Sequence, residues 1–224
     1  MSAGIKNGDY MKILLVRHGE TDWNVAQRIQ GSTDTPLNQT GIQQAKRLAE
    51  ELAKRETPII GVYTSKLERA AKTAECVANK LGKECIVLPG LEEINFGLWE
   101  GITWEQVKEQ FPVQYQIWHQ NRRYEHPPKG ESYQELVERV VRALQKIIKE
   151  LKTGNQTDIE TSEAVAKGTD VVEGDIVAVT HSADIMSLMS FINDTPFHEM
   201  VKRYKTGNTA VIEIEAEVIE RLKI

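Results

Sequence analysis

The chain has 224 residues and a formal net charge of -5 at pH 7, with 27% charged and 40% hydrophobic residues. This ordinary globular composition argues against a general nucleic-acid binder or a polybasic protein of the membrane surface. No apolar run approaches the roughly 20 residues that span a bilayer, and residues 1–10 lack the apolar segment of a signal peptide. We therefore expect a cytoplasmic protein with no nucleic-acid or membrane partner, built as one large domain or two small ones.

The two cysteines, Cys76 and Cys85, do not form a Cys-x-x-Cys pair and have no histidine at metal-ligand spacing. A zinc site and a disulfide scaffold are therefore not expected. We predict that both cysteines are reduced core residues, because their neighbours are apolar.

Strands and helices alternate in the N-terminal part of the chain. Short apolar runs predict strands, and apolar residues at helical spacing predict helices. The predicted elements are a strand at Lys12–Arg17, a helix at 42–52, a strand at Ile59–Thr64, a helix at 67–81 and a strand at 84–88. Asn38 is the expected N-cap of the first helix, and Gly82 is expected to end the second.

The middle of the chain is predicted to be helical. Thr103 with Gln106, and Ser132 with Glu135, fit capping boxes that open helices at 104–111 and 133–151. Residues 152–174 are polar and lack apolar periodicity, which predicts a mobile insertion. The remaining predicted elements are a strand at 176–180, a helix at 183–192 and a closing strand or hairpin within 209–222.

This alternation predicts a single α/β domain over residues 11–224, after a flexible N-terminal extension at 1–10. The expected architecture is a mostly parallel central sheet with helices on both faces and a helical cap insertion. No internal repeat stands out in the sequence.

Reactive side chains follow the predicted strands directly. In open α/β sheets, ligands bind outside the carboxyl ends of the strands, so these side chains are expected to converge. Two histidines, two arginines and a carboxylate would suit phosphoryl transfer to an imidazole, because guanidinium groups match phosphate oxygens and an acid can protonate the leaving oxygen. The candidates are Arg17, His18, Arg69, Glu93 (with Glu92 as its neighbour) and His181.

The sequence LVRHGET at 15–21, followed by Trp23-Asn24, resembles the signature of the histidine phosphatase superfamily, the phosphoglycerate-mutase-like proteins. The similarity extends through 31–45, 65–74, 91–101, 130–132 and 179–181. It runs from Met11 to about Asn208, nearly the whole chain. The segment FGLWEG at 96–101 resembles the phosphatase branch, and it offers apolar surface with a carboxylate rather than cations.

The resemblance implies a role for each matching residue. His18 matches the histidine that becomes phosphorylated, and Glu93 rather than Glu92 matches the general acid. The implied phosphate contacts are Arg17, Asn24, Gly31, Arg69, His181 and Ser182. Ser182 departs from the pattern, since the family usually has glycine after the second histidine. A serine there alters the expected wall of the site and could add a hydroxyl donor.

Some side chains keep two interpretations. Arg122 and Arg123 form either a charged loop face or contacts to a second anionic group of the substrate. Phe96 and Trp99 are expected in the core or in the pocket wall. The motif-free histidines His119, His126 and His198 are expected to be structural or at the surface.

The expected activity is hydrolysis of small phosphorylated metabolites through phosphohistidine, with no cofactor and no metal. No Asp-rich magnesium site accompanies the motifs. Two alternatives remain: a phosphoglycerate mutase that depends on 2,3-bisphosphoglycerate, and a catalytically silent phosphate-binding or docking protein on the same fold. The oligomeric state, a homodimer included, is open at this point.

Overall fold

The computed structural model describes residues 11–153 and 174–224. Its strands are β1 Lys12–Arg17, β2 Ile59–Thr64, β3 Cys85–Val87, β4 Asp175–Thr180 and β5 Val211–Glu215. They form one 5-stranded sheet in the spatial order β3-β2-β4-β1-β5. All neighbouring pairs are parallel except β1 with β5, which is antiparallel. The predicted mostly parallel α/β sheet is confirmed.

Nine α-helices lie within these two ranges. They are α1 Asp22–Val25, α2 Gln39–Leu52, α3 Glu68–Leu81, α4 Trp104–Gln110, α5 Pro112–Gln120, α6 Tyr133–Thr153, α7 Ser182–Ile192, α8 Met200–Tyr204 and α9 Ala216–Glu220. None of them is long and apolar enough to cross a membrane.

The strands bury both faces of the sheet. Successive residues of β1 alternate between two core clusters: Leu14 and Val16 pack with α2 and α3, whereas Ile13 and Leu15 pack with the cluster that includes α6 and α7. This alternation follows from the two-residue period of a strand. Helices therefore cover both faces, as predicted. The helical insertion of α4 and α5 joins the second cluster through aromatic rings.

The local start and stop signals act as expected. The Asn38 side chain caps α2 by accepting from the Gly41 N–H, and Gly82 ends α3 in the left-handed conformation with φ 64°. The Thr103–Gln106 capping box opens α4. Ser132 and Glu135 exchange the corresponding hydrogen bonds at the start of α6.

Three short helices and the C-terminus differ from the sequence expectations. Helices α1, α5 and α8 were not predicted: α1 and α8 are too short to show apolar periodicity, and α5 buries only Trp118. The hairpin alternative for residues 209–222 is wrong, since β5 is followed by α9 rather than by another strand. Its Ala216 and Ile219 are buried in the core, which a solvent-facing hairpin turn would not achieve.

The two cysteines are free thiols but only half-buried, so their prediction as core residues is wrong. Cys85 lies on β3, which is an edge strand, and Cys76 lies between the buried positions of α3. The predicted extension at 1–10 lies outside the described residues. So does the predicted insertion at 152–174 apart from its ends, where α6 continues through Thr153 and Gly174 precedes β4. The domain limits stay a prediction.

Candidate active site

The pairing of β1 with β4 brings the two candidate histidines together. Arg17 lies opposite Thr180 in the parallel register, so His18 and His181 both follow the ends of adjacent strands. The His18 N–H donates to the Thr180 carbonyl at 3.0 Å. The two imidazole rings are 5.2 Å apart between centroids. The predicted convergence at the carboxyl ends of the strands is therefore present for these residues.

His18 is held as a neutral imidazole with one defined tautomer. Its Nδ1 lies 2.6 Å from the Gly19 carbonyl oxygen. A carbonyl can only accept, so Nδ1 carries the proton and Nε2 presents its lone pair. Burial lowers the pKa of His18 well below its ordinary value, and the positive charges of Arg69 and Arg17 lower it further. An imidazole in this state can act as a nucleophile.

The loop that carries His18 packs closely against helices α2 and α3. The Gly19 N–H donates to Thr73 Oγ1 on α3 at 3.0 Å. A Cβ at Gly19 would lie 2.6 Å from the carbonyl oxygen of Gly41, at the start of α2. Only glycine permits this approach. His18 is therefore positioned by backbone packing as well as by its hydrogen bonds.

His181 is the second neutral imidazole of the site. It is completely buried, and neither ring nitrogen has a hydrogen-bond partner among the residues that the structure describes. Burial lowers its pKa well below the ordinary value, and Arg69 and His18 add to the shift. A buried polar group without a partner is costly, so a ligand that offers both donor and acceptor oxygens suits this position.

Arg69 is a fully buried cation held by carbonyl groups. Its Nη1 donates to the Thr33 carbonyl at 2.8 Å, and its Nη2 donates to the Gly31 carbonyl at 2.7 Å. A guanidinium group has five N–H donors, so others remain for a ligand. Because carbonyls orient this group without neutralising it, its charge stays available to an anion.

Glu100 supports the loop that holds Arg69. Its carboxylate accepts hydrogen bonds from the backbone N–H groups of Ser32, Thr33 and Phe96. Gly31 adopts φ +53°, and a Cβ there would lie 2.1 Å from Glu100 Oε1. Gly31 was expected to contact phosphate, whereas the structure places its carbonyl behind Arg69. The Glu100 carboxylate is likewise used within the protein instead of facing a ligand.

Arg17 and Asn24 are positioned by the segment before β5. Arg17 Nη1 donates to the Thr206 carbonyl at 2.6 Å. Asn208 Nδ2 is within hydrogen-bond distance of the His18 carbonyl, at 3.1 Å, and of Asn24 Oδ1, at 3.2 Å. Asn24 Oδ1 also accepts from the Thr21 N–H. The amide oxygen of Asn24 is thus occupied, and its NH₂ group is the part that can bind an anion.

Glu93 is partly buried near Arg69 and Arg17. Burial raises the pKa of Glu93 above the ordinary value, and those two arginines and Arg139 oppose the shift. Glu92 is engaged elsewhere, since its Oε2 accepts from the Gly90 N–H at 2.8 Å and lies 4.0 Å from Arg139. Glu93 Oε1 accepts from the Ile94 N–H at 3.1 Å. The choice of Glu93 over Glu92 as the general acid stays a prediction.

Arg139 fixes the loop that carries Glu93. From α6 its guanidinium donates to the carbonyls of Gly90, Glu92 and Glu93, at 3.0, 2.6 and 3.2 Å. It also forms an ion pair with Glu131 at 2.6 Å. The Arg139 side chain on α6 therefore orders the loop that carries Glu93.

Ser182 fits its position without the freedom of glycine. It is the first residue of α7, and it is not among the residues with positive φ. No side-chain hydrogen bond of Ser182 occurs among the described residues, so its role as a donor to the ligand stays a prediction.

The two cap arginines occupy different surroundings. Arg122 is 8% exposed and lies over the Trp118 ring at 4.7 Å, with no ion pair to any residue in the described ranges. Burial raises the pKa of Tyr133; the Arg122 charge opposes this shift and the Glu93 charge adds to it, so both charges lie near that phenol. Arg123 instead donates to Gln134 at 2.9 Å and packs over aromatic rings. Contact of either arginine with substrate stays a prediction.

Sequence reasoning missed Glu100, Arg139 and Asn208. Arg139 had a usable signal, because it lies one turn from the buried Leu136 and Ala143 on the apolar side of α6. Glu100 lies between two glycines with positive φ, a turn pattern that gives no hint of five incoming donors. Asn208 follows Gly207 and reads as an ordinary turn residue.

Phe96 and Trp99 are buried in the aromatic core, as expected. Consequently only Leu98 of the 96–101 segment offers large exposed apolar surface. His119, His126 and His198 are exposed at the surface. Over residues 11–153 and 174–224, no group of three or more His, Cys, Asp and Glu side chains is arranged to hold a metal ion.

Neutral imidazoles, carbonyl-held arginines and a partly buried acid at the strand ends define a phosphoryl-transfer site on an α/β sheet. Comparison with known families agrees with this class. The family model described as histidine phosphatase superfamily (branch 1) matches residues 13–219. The chain belongs to the histidine phosphatase superfamily.

Similar proteins carry phosphatase and mutase names. Phosphoglycerate mutase-like protein 4 of Arabidopsis thaliana is 42% identical over 141 residues, which cover 62% of this chain and 61% of that protein. Metal-independent phosphoserine phosphatase of Arabidopsis thaliana is 41% identical over 143 residues, which cover 63% and 60%. The chain thus spans about three fifths of the length of these relatives.

A solved structure extends the similarity to the whole fold. Mycobacterial glucosyl-3-phosphoglycerate phosphatase, solved with VO3, matches with a TM-score of 0.70 and 27% sequence identity. The alignment covers 91% of this chain and 92% of that chain.

Replacing Glu100 with glutamine should weaken anion binding through Arg69. The amide cannot accept all the N–H and O–H donors that the carboxylate serves, so the 31–33 loop loosens. We expect a loss of about 1 to 2 kcal/mol in the free energy of unfolding and about tenfold weaker phosphate binding by calorimetry. Glu109→Gln, at an exposed position of α4, is the matched control. Unchanged phosphate affinity in E100Q would refute this support role.

Proposed function

We propose that the chain is a metal-independent phosphomonoesterase that hydrolyses small phosphorylated metabolites through phosphohistidine on His18. The observation that carries the proposal is the hydrogen bond from His18 Nδ1 to the Gly19 carbonyl. It leaves Nε2 as a free nucleophile beside buried cations. A silent phosphate-binding protein would not need that tautomer to be defined.

In the first step His18 Nε2 attacks phosphorus in line with the ester oxygen. The N–P bond forms, the P–O ester bond breaks, and its electron pair moves to the leaving oxygen. Glu93 supplies the proton to that oxygen. Arg17, Arg69 and the Asn24 amide stabilise the negative oxygens of the transferring group.

In the second step Glu93, now ionised, takes a proton from water. The water oxygen attacks phosphorus, the N–P bond breaks, and its electron pair returns to Nε2 of His18. Orthophosphate leaves and Glu93 is again protonated. Burial raises the pKa of Glu93, which favours the protonated form that the first step requires.

Arg122 supports a substrate with a second anionic group. It is a buried cation with no ion pair to a described carboxylate, and its charge acts on the same phenol as that of Glu93. Buried arginines are usually paired, and a planar guanidinium matches a carboxylate in bidentate fashion. We therefore propose a phosphomonoester that also carries a carboxylate. The names of two similar proteins, which refer to phosphoserine and glucosyl-3-phosphoglycerate, support this class.

Mutase chemistry is the second candidate, because Arg122 and the name of one relative favour it. A mutase must keep water from the phosphohistidine and bind two acidic groups in a strongly basic pocket. Arg123 is engaged with Gln134 and aromatic rings, and Arg139 is paired with Glu131. Arg122 is then the main cap cation left for a second acidic group of the substrate. Because one such cation does not make a strongly basic pocket, water is the favoured acceptor of the phosphoryl group.

His18→Ala should abolish hydrolysis and the acid-labile, alkali-stable phosphoprotein that is trapped by quenching. Because burial lowers the pKa of His18 well below its ordinary value, wild-type labelling should persist at moderately acidic pH. His119→Ala, at an exposed position of α5, should label like wild type. Labelling that survives in H18A would show that another residue is the nucleophile.

Glu93→Gln should slow alkyl phosphates by about 100-fold or more and aryl phosphates much less, because a good leaving group needs little protonation. In the wild type, alkyl phosphate turnover should fall as pH rises through the raised pKa of Glu93. Steady-state rates across pH measure both effects. Equal losses for the two substrates, or a larger loss in Glu92→Gln, would reverse the assignment.

The acceptor is decided by following 3-phosphoglycerate with and without 2,3-bisphosphoglycerate, with H18A protein as the blank. The phosphatase proposal predicts phosphate release that does not depend on the bisphosphate. Formation of 2-phosphoglycerate that requires the bisphosphate and outruns phosphate release many-fold would establish the mutase instead.

A further inference from the structure

Thr180 forms hydrogen bonds both to the backbone of His18 and to the loop that carries Glu93. It is the last residue of β4, and its carbonyl accepts the His18 N–H at 3.0 Å. Its hydroxyl lies 3.0 Å from the Leu91 carbonyl oxygen, two residues before Glu93. One residue thus links the nucleophile to the loop that carries the acid.

Asp184 is a buried acid that the phosphatase mechanism does not use. It lies in the first turn of α7, is 1% exposed, and its Oδ2 is in short contact with the Thr180 hydroxyl. Its Oδ1 has no hydrogen-bond partner in the described parts of the chain, and no cation there forms an ion pair with it. An ionised carboxylate in such surroundings is very costly.

Proton counting at Thr180 indicates which form Asp184 takes. The hydroxyl has one proton and two oxygen neighbours, the Leu91 carbonyl and Asp184 Oδ2. The carbonyl can only accept, so the hydroxyl proton must point to Leu91 if both contacts are hydrogen bonds. The Asp184 contact then needs a proton of its own, which a neutral carboxylic acid supplies.

We propose that Thr180 and a protonated Asp184 form a clamp that positions Glu93 for proton transfer to the leaving group. Both are positioning residues, and the proposal rests on the proposed function of Glu93. Asp184 donates to the Thr180 hydroxyl, and the hydroxyl donates to the Leu91 carbonyl. Ionisation of Asp184 would turn the hydroxyl towards the carboxylate and break its hydrogen bond to the Leu91 carbonyl, so that Arg139 alone would hold the loop that carries Glu93.

The charges around Asp184 agree with the neutral form. Burial raises the pKa of Asp184 well above the ordinary value, and the charge of Glu93 on the acid loop raises it further. Arg139 on α6 and the hydrogen bond with the Thr180 hydroxyl oppose this shift, while Glu131 before α6 adds to it. The charge of Asp184 also acts on Arg69 of α3. The Arg69 guanidinium is held by backbone carbonyls and forms no ion pair with Asp184.

Leaving-group dependence tests the clamp. Thr180→Val keeps the shape but removes the donor to Leu91, so turnover of glycerol phosphate should fall about tenfold or more, and that of 4-nitrophenyl phosphate much less. Asp184→Ala should show the same bias, and the conservative variants Thr180→Ser and Asp184→Asn should restore the alkyl rate. Ser190→Ala, a buried α7 serine whose hydroxyl has no described partner, is the control. Equal losses for both substrates would mean a purely structural role and would overturn the proposal.

The protonation state of Asp184 has readouts of its own. An infrared difference between wild type and D184N at neutral pH should contain the carbonyl stretch of a protonated carboxylic acid. The pH at which alkyl turnover falls should stay the same in D184N, because a neutral group replaces a neutral group. Two results would overturn the clamp. One is the infrared signal of an ionised Asp184 carboxylate; the other is a fall of alkyl turnover at lower pH in D184N than in wild type, as removal of a negative charge would cause.

The infrared measurement also separates this inference from the proposed function. A wild-type protein that hydrolyses neither ester would contradict the phosphatase proposal, and with it the role of Glu93 that the clamp serves. A protonated Asp184 signal with aryl turnover but no alkyl bias in T180V would leave the phosphatase intact and overturn the clamp alone. If T180V fails to fold, which its thermal transition would show, the contrast between D184A and D184N decides.

Discussion

The parallel register between β1 and β4 places His18 and His181 beside each other at one edge of the sheet, and the other groups of the candidate site are arranged around that pair. Because Arg17 lies opposite Thr180, the residues after them meet without any side-chain contact having to enforce it. The His18 N–H continues the ladder by one more bond to Thr180. A register slip of one residue in β1 would move the side chains of β1 to the other face and turn His18 away from His181. The hydrophobic alternation of β1, which fills two cores, makes such a slip costly.

Buried cations need orientation without neutralisation if they are to bind phosphate. The site meets this need with backbone carbonyls: Gly31 and Thr33 hold Arg69, and Thr206 holds Arg17. A carboxylate in those places would give stronger bonds but would compete with the ligand for charge. The carboxylate of Glu100 instead binds the N–H groups of the 31–33 loop, and it thereby orders the loop whose carbonyls hold Arg69.

The periodicity of the elements and the strand ends could be predicted from the sequence, whereas contacts between distant loops largely could not. The strand ends, and therefore His18, Arg69 and His181, could be placed because the carboxyl edge of a parallel sheet is a geometric consequence of alternating elements. Glu100 and Asn208 could not, since their partners are carbonyls and N–H groups of distant loops, which leave no mark on local spacing. Arg139 is intermediate. Its position on an apolar helix face can be predicted from the sequence, but its three carbonyl partners cannot.

Proton placement completes the electrostatic design. Burial and nearby arginines keep both imidazoles neutral, so the positive charge of the site comes from guanidinium groups that stay charged at any working pH. Proton counting around Thr180 places a further proton on Asp184, which removes one negative charge from the same region. In the proposed reaction, Glu93 is then the carboxyl near Arg17 and Arg69 whose charge changes during turnover. A site with fixed cations and one titrating acid can bind a phosphate dianion tightly and still move a proton at the leaving oxygen.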